Sequence, residues 1–420
     1  SLHGYDIVDP QALNPEIGTD EDYAAMAAEL KRHSMGQVLD IVPNHMCVDS
    51  SENLWWTDVL ENGPSSPYAK YFDIDWKPVK KELENKVLIP VLGDQYGNVL
   101  EGQELKVIFQ EGAFFVNYYD HRFPLRPQTY VLILEHQQQE LQSLLPEDRP
   151  DLAEFLSIIT ALKHLPSYRE TDPDRISERH REKEVTKRRL GTLFAACSEV
   201  REHIEENLRL FNGTKGDPKS FDLLDGLMNE QIYRLSHWRV ATEEINYRRF
   251  FDINGLGAIR MEHPAVFAAT HALIFRLIRE GSVTGLRVDH PDGLYNPVEY
   301  FHRLQRGCFV QQNLSQSAGQ HDLPPLAGAE QALAQQYDEN VLAAPGYKPF
   351  YVVGEKILLK SERMPEDWPI FSTTGYVFVN SVSGIFIDGE QAKTFDAIYE
   401  KFIGSKIDVQ DVIYEKKKLV

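Results

Sequence analysis

Three short apolar runs in this 420-residue chain each stop on side chains capable of chemistry, and that punctuation restricts the fold more than any other feature. Residues 282–288 lead into Gly285-Leu286-Arg287-Val288-Asp289-His290-Pro291-Asp292-Gly293, a strand closing on an acid and a turn-forming Asp-Gly. Residues 350–353 run into Gly354 and Glu355, and residues 37–42 break at Pro43 to present Asn44 and His45. Helix-strand units with acids at strand C-termini are the pattern of a (β/α)8 TIM-type barrel, so the expected fold class is α/β. Alternation sends Arg287 and Asp289 to one side of their strand. A cation there favours an ionised Asp289, and an ionised carboxylate can attack carbon. With Glu355 to move a proton, the pair has what glycosidic-bond chemistry requires. Plainer alternatives remain open. Asp289 could cap its turn, Arg287 could form a structural ion pair, and Glu355 could pair with Lys356 on the surface.

Composition excludes more than it identifies. The formal net charge of −20 disfavours nucleic acid or an anionic membrane as a partner, since both are polyanions. A neutral sugar is indifferent to that field. The three cysteines, Cys47, Cys197 and Cys308, lack metal-ligand spacing and read as incidental thiols of a reduced compartment. Residues 1–20 are polar and proline-broken, unlike a signal peptide, and no apolar run approaches the roughly 20 residues of a membrane helix. A cytoplasmic location is expected.

Along the chain, residues 1–48 read as the first part of a barrel, with a helix over 20–34 capped by Thr19 or Asp20 and stopped at Gly36. Residues 49–245 form an excursion without further strand-end signatures. Its first part, 87–119, reads as a small antiparallel set with turns at Gly93-Asp94 and Gly97-Asn98. Residues 137–210 read as helical, and the mixed charges of 169–187 predict a solvated helical face. Insertions on a barrel's catalytic side shape its cleft. The barrel resumes over 246–420, with helices at 263–280, 297–312 and 390–403, a variable insertion near 313–346, and a further strand at 376–387.

The strings DIVPNH, GLRVDH and VVGEK, at 40–45, 285–290 and 352–356, occur in the order of the first three signature regions of the α-amylase superfamily of retaining glycosidases and transglycosidases. Longer strings narrow the likeness. HGYDIVDP (3–10), NPEIG (14–18), EINYRRFFDIN (244–254), RVDHPDGLYNP (287–297), EKILLKSERMPEDWP (355–369), TTGY (373–376) and VIYEKKKLV (412–420) resemble the maltooligosyl trehalose synthase family. Two departures stand out: Val377 replaces a family acid, and Pro291 an aliphatic residue.

The resemblance implies an intramolecular transglucosylation. The reducing-end α-1,4 bond of a maltooligosaccharide becomes an α,α-1,1 bond, with Asp289 as nucleophile and Glu355 as general acid/base. It implies that His45, Arg287, His290, Tyr5 and Asn44 line the sugar site, with Tyr5 stacking on a ring and His45 donating to a sugar hydroxyl. His3 and Tyr295 follow as weaker candidates, and Trp55, Trp56, Trp76 and Trp238 as core residues. No metal and no cofactor are implied. The partner in the pathway would be a maltooligosyl trehalose trehalohydrolase. Against the family pattern the barrel is expected to be incomplete, lacking its first and last strands and a third carboxylate, so that this span by itself has little activity. An α-amylase-type hydrolase and a non-catalytic maltodextrin-binding fragment are the alternative readings.

Overall fold

The computed structural model describes residues 3–146, 148–317, 326–344, 346–359 and 362–419. A four-stranded parallel sheet organises it, in the order Val38–Ile41, Gly285–Val288, Tyr351–Gly354 and Ser372–Thr373. Spatial order follows chain order, as repeated strand-helix units require. The helix Pro264–Arg279 precedes the second strand, and Pro297–Ser317 and Leu326–Ala343 lie between the second and third. Leu286, Val288 and Val352 are fully buried, which is why these strands read as apolar runs instead of alternating ones. Ahead of the sheet, the helix Asp20–Arg32 starts at a capping box in which Thr19 and Asp22 exchange hydrogen bonds. Part of the variable stretch near 313–346 lies outside the described residues.

The strand His45–Cys47 pairs antiparallel with Ile253–Ala258, so the two ends of the long excursion meet beside the parallel sheet. Their buried side chains belong to one continuous cluster, which runs from Val288 and Val352 through Trp56 and Phe72 to Leu190 and Phe221. Trp56 is buried as expected, whereas Trp238 is exposed beside Arg239. None of the described helices is long and apolar enough to cross a membrane.

Three expectations need correction. The antiparallel set comprises Leu105–Gln110, Ala113–Tyr118 and His121–Pro124, while Val87–Leu92 pairs in parallel with Tyr233–His237. Gly97-Asn98 lies inside the helix Tyr96–Glu101, and the hairpin turns instead at Glu111 and Gly112, both with positive φ. A Gly-Asn pair is compatible with either backbone, and its surroundings decided. Second, residues 376–385 form a helix, Tyr376–Ile385. Their β-branched content suggested a strand, but Ser372–Thr373 already occupies that edge of the sheet, and Gly375 at φ +75° turns the chain out of it.

Third, the charged helix Pro173–Ala196 is not solvated all round, because it buries Arg179 and Lys183. Lys183 Nζ lies 2.9 Å from Asp58 Oδ1 and 2.6 Å from Glu61 Oε2, both on the helix Leu54–Asn62. Lys187 also pairs with Glu61. Arg179 donates to the Pro166 carbonyl at 2.6 Å and to Gln128 Oε1 at 3.0 Å. Burial would raise the Glu61 carboxyl, but Lys187 and Lys183 outweigh it and hold it down at about 2. Charge patterning along one helix could not reveal partners 122 residues away.

Removing one partner of a buried ion pair leaves the other charge uncompensated. Lys183→Met is therefore expected to lower unfolding stability by about 3–5 kcal/mol, measured by urea denaturation. Because the folded-state value of Glu61 is depressed, its contribution is complete above the ordinary value of 4.5 and is lost as pH falls towards about 2. In Glu61→Gln the denaturation midpoint should lose that part of its acid dependence.

Candidate active site

Main-chain hydrogen bonds deliver the two acids. The Asp289 amide donates to the Ile41 carbonyl at 2.9 Å, and the Glu355 amide donates to the Val288 carbonyl at 2.8 Å. Each acid thus follows directly on its strand, and its backbone is fixed by the neighbouring one. The register also pairs Asp40 with Arg287, which stands their side chains together on one side of the sheet.

Arg287 is the centre of the resulting cluster. Its Nη1 donates to Asp40 Oδ1 at 2.7 Å and to Asp289 Oδ1 at 2.9 Å, and its Nη2 lies 3.7 Å from Glu355 Oε2. Burial works against the guanidinium's charge, but the hydrogen bonds to Asp40 and Asp289 outweigh it and raise its pKa. Tyr5 closes one side. Its hydroxyl donates to Asp40 Oδ2 at 3.0 Å, and the guanidinium lies 5.8 Å from its ring centroid. His3 stacks on Tyr5 at 5.9 Å, while Tyr295 is exposed.

Asp289 is buried, and burial pushes its carboxyl above the ordinary value. The hydrogen bond from Arg287 pulls it down, and the Glu355 charge pushes it up again. The net direction is upward, opposite to what the adjacent cation alone suggested. Desolvation and a second carboxylate were invisible in the local sequence.

Glu355 takes different partners. Its Oε2 accepts from the His290 amide at 3.1 Å, and its Oε1 accepts from the Tyr376 hydroxyl at 3.4 Å. Lys356 does not pair with it. The Lys356 ammonium reaches Asp292 Oδ2 at 2.9 Å and Glu362 Oε1 at 2.6 Å instead.

His45 and Asn44 are both buried. His45 is 1% exposed, and its Nε2 donates to the Tyr5 carbonyl at 3.1 Å. Its Nδ1 faces Asn44 Nδ2 at 3.4 Å. Burial lowers its pKa to about 4, which makes it a neutral ring with both nitrogens turned to protein. In this geometry it anchors the Tyr5 backbone. Asn44 Oδ1 accepts from Arg248 Nη1 at 3.1 Å. The His290 ring is flanked by Phe250 and Phe251, with centroids 5.0 and 5.2 Å away.

The cluster therefore includes residues that sequence reasoning did not single out: Asp40, Arg248, Phe250, Phe251, Asp292 and Tyr376. An acid inside the apolar run 37–42 was a usable signal for Asp40. The tandem arginines and phenylalanines of EINYRRFFDIN were another. The electrostatics make a direct prediction. Carboxyl-selective NMR titration should find Asp289 shifted to lower pKa in Glu355→Gln, which removes a repelling charge, and to higher pKa in Arg287→Met, which removes the stabilising cation.

The family profile "Alpha amylase, catalytic domain" matches residues 1–122. A Mycobacterium tuberculosis protein provisionally named maltooligosyl trehalose synthase is 26% identical over 414 residues, which cover 98% of this chain and 35% of that protein. The solved structure of maltooligosyltrehalose synthase from Arthrobacter ramosus superposes with a TM-score of 0.60 at 28% identity, covering 100% of this chain and 37% of that one. A structure described as DSM5389 glycosyltrehalose synthase gives 0.59 at 26% identity, with 100% and 40% coverage. The chain thus spans about a third of the curated relatives' length. These likenesses support an α/β TIM-type fold.

Proposed function

Given that the chain belongs to the α-amylase superfamily, we propose that its strand-end acids perform intramolecular transglucosylation on maltooligosaccharides, forming maltooligosyl trehalose. The observation that carries this reading is the convergence of Asp289 and Glu355 on one guanidinium from adjacent strands. A retaining mechanism needs its two carboxyl groups only about 5–5.5 Å apart, and a shared cation between neighbouring strand ends is a means of holding them close. The likeness of this whole chain to about a third of the length of trehalose synthases supports the particular reaction. The four parallel strands would then be part of the (β/α)8 barrel, with residues 49–245 as the inserted subdomain beside the site.

In this mechanism Asp289 attacks the anomeric carbon of the penultimate glucosyl unit as Glu355 protonates the leaving oxygen. The C–O bond to the reducing-end glucose breaks, and a covalent glucosyl ester of Asp289 forms with inversion. The freed glucose stays bound and turns, so that its own anomeric hydroxyl attacks the ester carbon. Glu355, now a carboxylate, takes that proton back, and Asp289 leaves. Two inversions give net retention, and every electron pair comes from the sugar or a carboxylate.

Water must stay out during the turn, or the ester hydrolyses. Residues 49–245 leave and return between the paired strands His45–Cys47 and Ile253–Ala258, and would supply that cover. The product lacks a reducing end, so a maltooligosyl trehalose trehalohydrolase is the fitting consumer in a two-step route to trehalose.

Product analysis on the whole protein with maltopentaose tests the proposal. Loss of reducing ends without net hydrolysis is expected, whereas accumulation of reducing ends would assign the site to an α-amylase-type hydrolase. Asp289→Asn should abolish turnover of both maltopentaose and α-maltosyl fluoride. Glu355→Gln should lose about 10²–10⁴-fold on maltopentaose. It should retain formation of the ester from the fluoride, whose departure needs no proton. Equal losses on the two substrates would remove Glu355 from the acid role.

A further inference from the structure

We infer that Arg248 is a positioning residue for Glu355, acting through the turn that follows Asp289. The inference rests on the reading of Glu355 as the proton-transferring group, and it extends that reading to a residue outside the sugar-facing set. His290 has left-handed backbone angles, φ +42° and ψ +53°. That conformation is uncommon for a residue with a Cβ, and it persists only where the surroundings impose it. It also aims the His290 amide at Glu355 Oε2. The nucleophile's own successor in the chain therefore orients the second carboxylate.

Two cations hold this turn. Arg248 Nη1 donates to the Gly293 carbonyl at 2.9 Å and to Asn44 Oδ1 at 3.1 Å, while its Nε donates to Asp73 Oδ2 at 2.8 Å. The backbone of Arg248 is itself pinned. Its amide donates to the Asp73 carbonyl at 2.9 Å, and its carbonyl accepts from Ala258 at 2.7 Å. Arg248 thus ties the long excursion, the end of the first parallel strand and the turn after Asp289 into one unit. A planar guanidinium can reach acceptors in several directions at once, which an ammonium cannot reproduce. Lys356, next to Glu355 in the chain, grips Asp292 of the same turn. Gly293 sits so close beneath this assembly that an added Cβ would stand 2.5 Å from both Asn44 Oδ1 and His290 Cδ2. The turn has no room to relax towards Asn44, and Arg248 prevents it from lifting away. Loss of Arg248 should free the His290 amide and let the Glu355 carboxyl rotate, without removing any group that touches sugar.

The test uses the whole protein and two readouts. In the 15N–1H spectrum of the wild type, the His290 amide should titrate with Glu355, and Glu355→Gln should abolish that titration. Arg248→Ala, and independently Asp292→Asn, which loosens the Lys356 grip with little change of shape, should weaken or abolish it as well. Kinetically, Arg248→Ala should lower kcat on maltopentaose by about ten- to a hundredfold, the scale of a small misplacement of reacting groups. KM should stay near the wild-type value, the rate on α-maltosyl fluoride should fall far less, and added guanidinium should restore part of the loss. Arg248→Lys should recover less than half of it. A His290 amide that titrates unchanged in both variants overturns the positioning role, whatever the rates do. Equal losses on the pentaose and the fluoride also overturn it. Failure of the functional reading shows separately, as a wild type in which Glu355→Gln affects both substrates alike.

Discussion

The Arg287 guanidinium is the interaction on which the site depends. Asp40, Asp289 and Glu355 come from three adjacent strands, and like charges at that distance would push one another apart or protonate. A single planar cation between them makes the cluster tolerable. It hydrogen-bonds Asp40 and Asp289 through one nitrogen and faces Glu355 with the other. The parallel register makes this possible, because Asp40 is the partner of Arg287 and Asp289 lies two residues further along the same side. A slip of one residue would send the arginine to the opposite face and leave the acids without it. Register, and not loop conformation, is therefore the primary determinant of the chemistry.

The protein uses buried charge in two distinct ways. Around Lys183 the network is closed. Glu61 is held by two ammonium groups, Asp58 receives Lys183 and the Ser66 hydroxyl, and the whole cluster is walled off between two helices. Such a network fixes how the helices of the excursion seat against each other. Around Arg287 it is open, because Asp289 has an oxygen to which the cluster assigns no donor. The first arrangement stabilises a geometry, and the second gathers three acids around one cation.

The sequence made some of this legible for a clear reason. Strand ends that carry acids are local events, and a local string such as GLRVDH records both the strand and its terminal group. Helix starts are local too, and Thr19 with Asp22 marks one. What escaped depends on distant surroundings. Residues 376–385 have the composition of a strand, yet the sheet edge was already occupied. Lys183 belongs to a charged helix, yet its partners lie far back in the chain. The partners of His45 and Lys356 escaped as well. The histidine turned both nitrogens to protein, and the lysine bypassed its neighbouring acid for Asp292. Pairings decided by tertiary contact leave no periodic trace.

The two acids differ in their partners. Both follow strands flanked on either side, but Asp289 is buried and hydrogen-bonds the guanidinium directly. Glu355 comes after Gly354, where the chain opens, and its oxygens accept from a backbone amide and a phenol. An amide and a phenol orient the Glu355 carboxyl through single hydrogen bonds, whereas Asp289 meets a charge-assisted one. The left-handed His290 links the two acids. By bending there immediately after Asp289, the chain spends about 1–3 kcal/mol of backbone strain and gains an amide aimed at the other carboxyl.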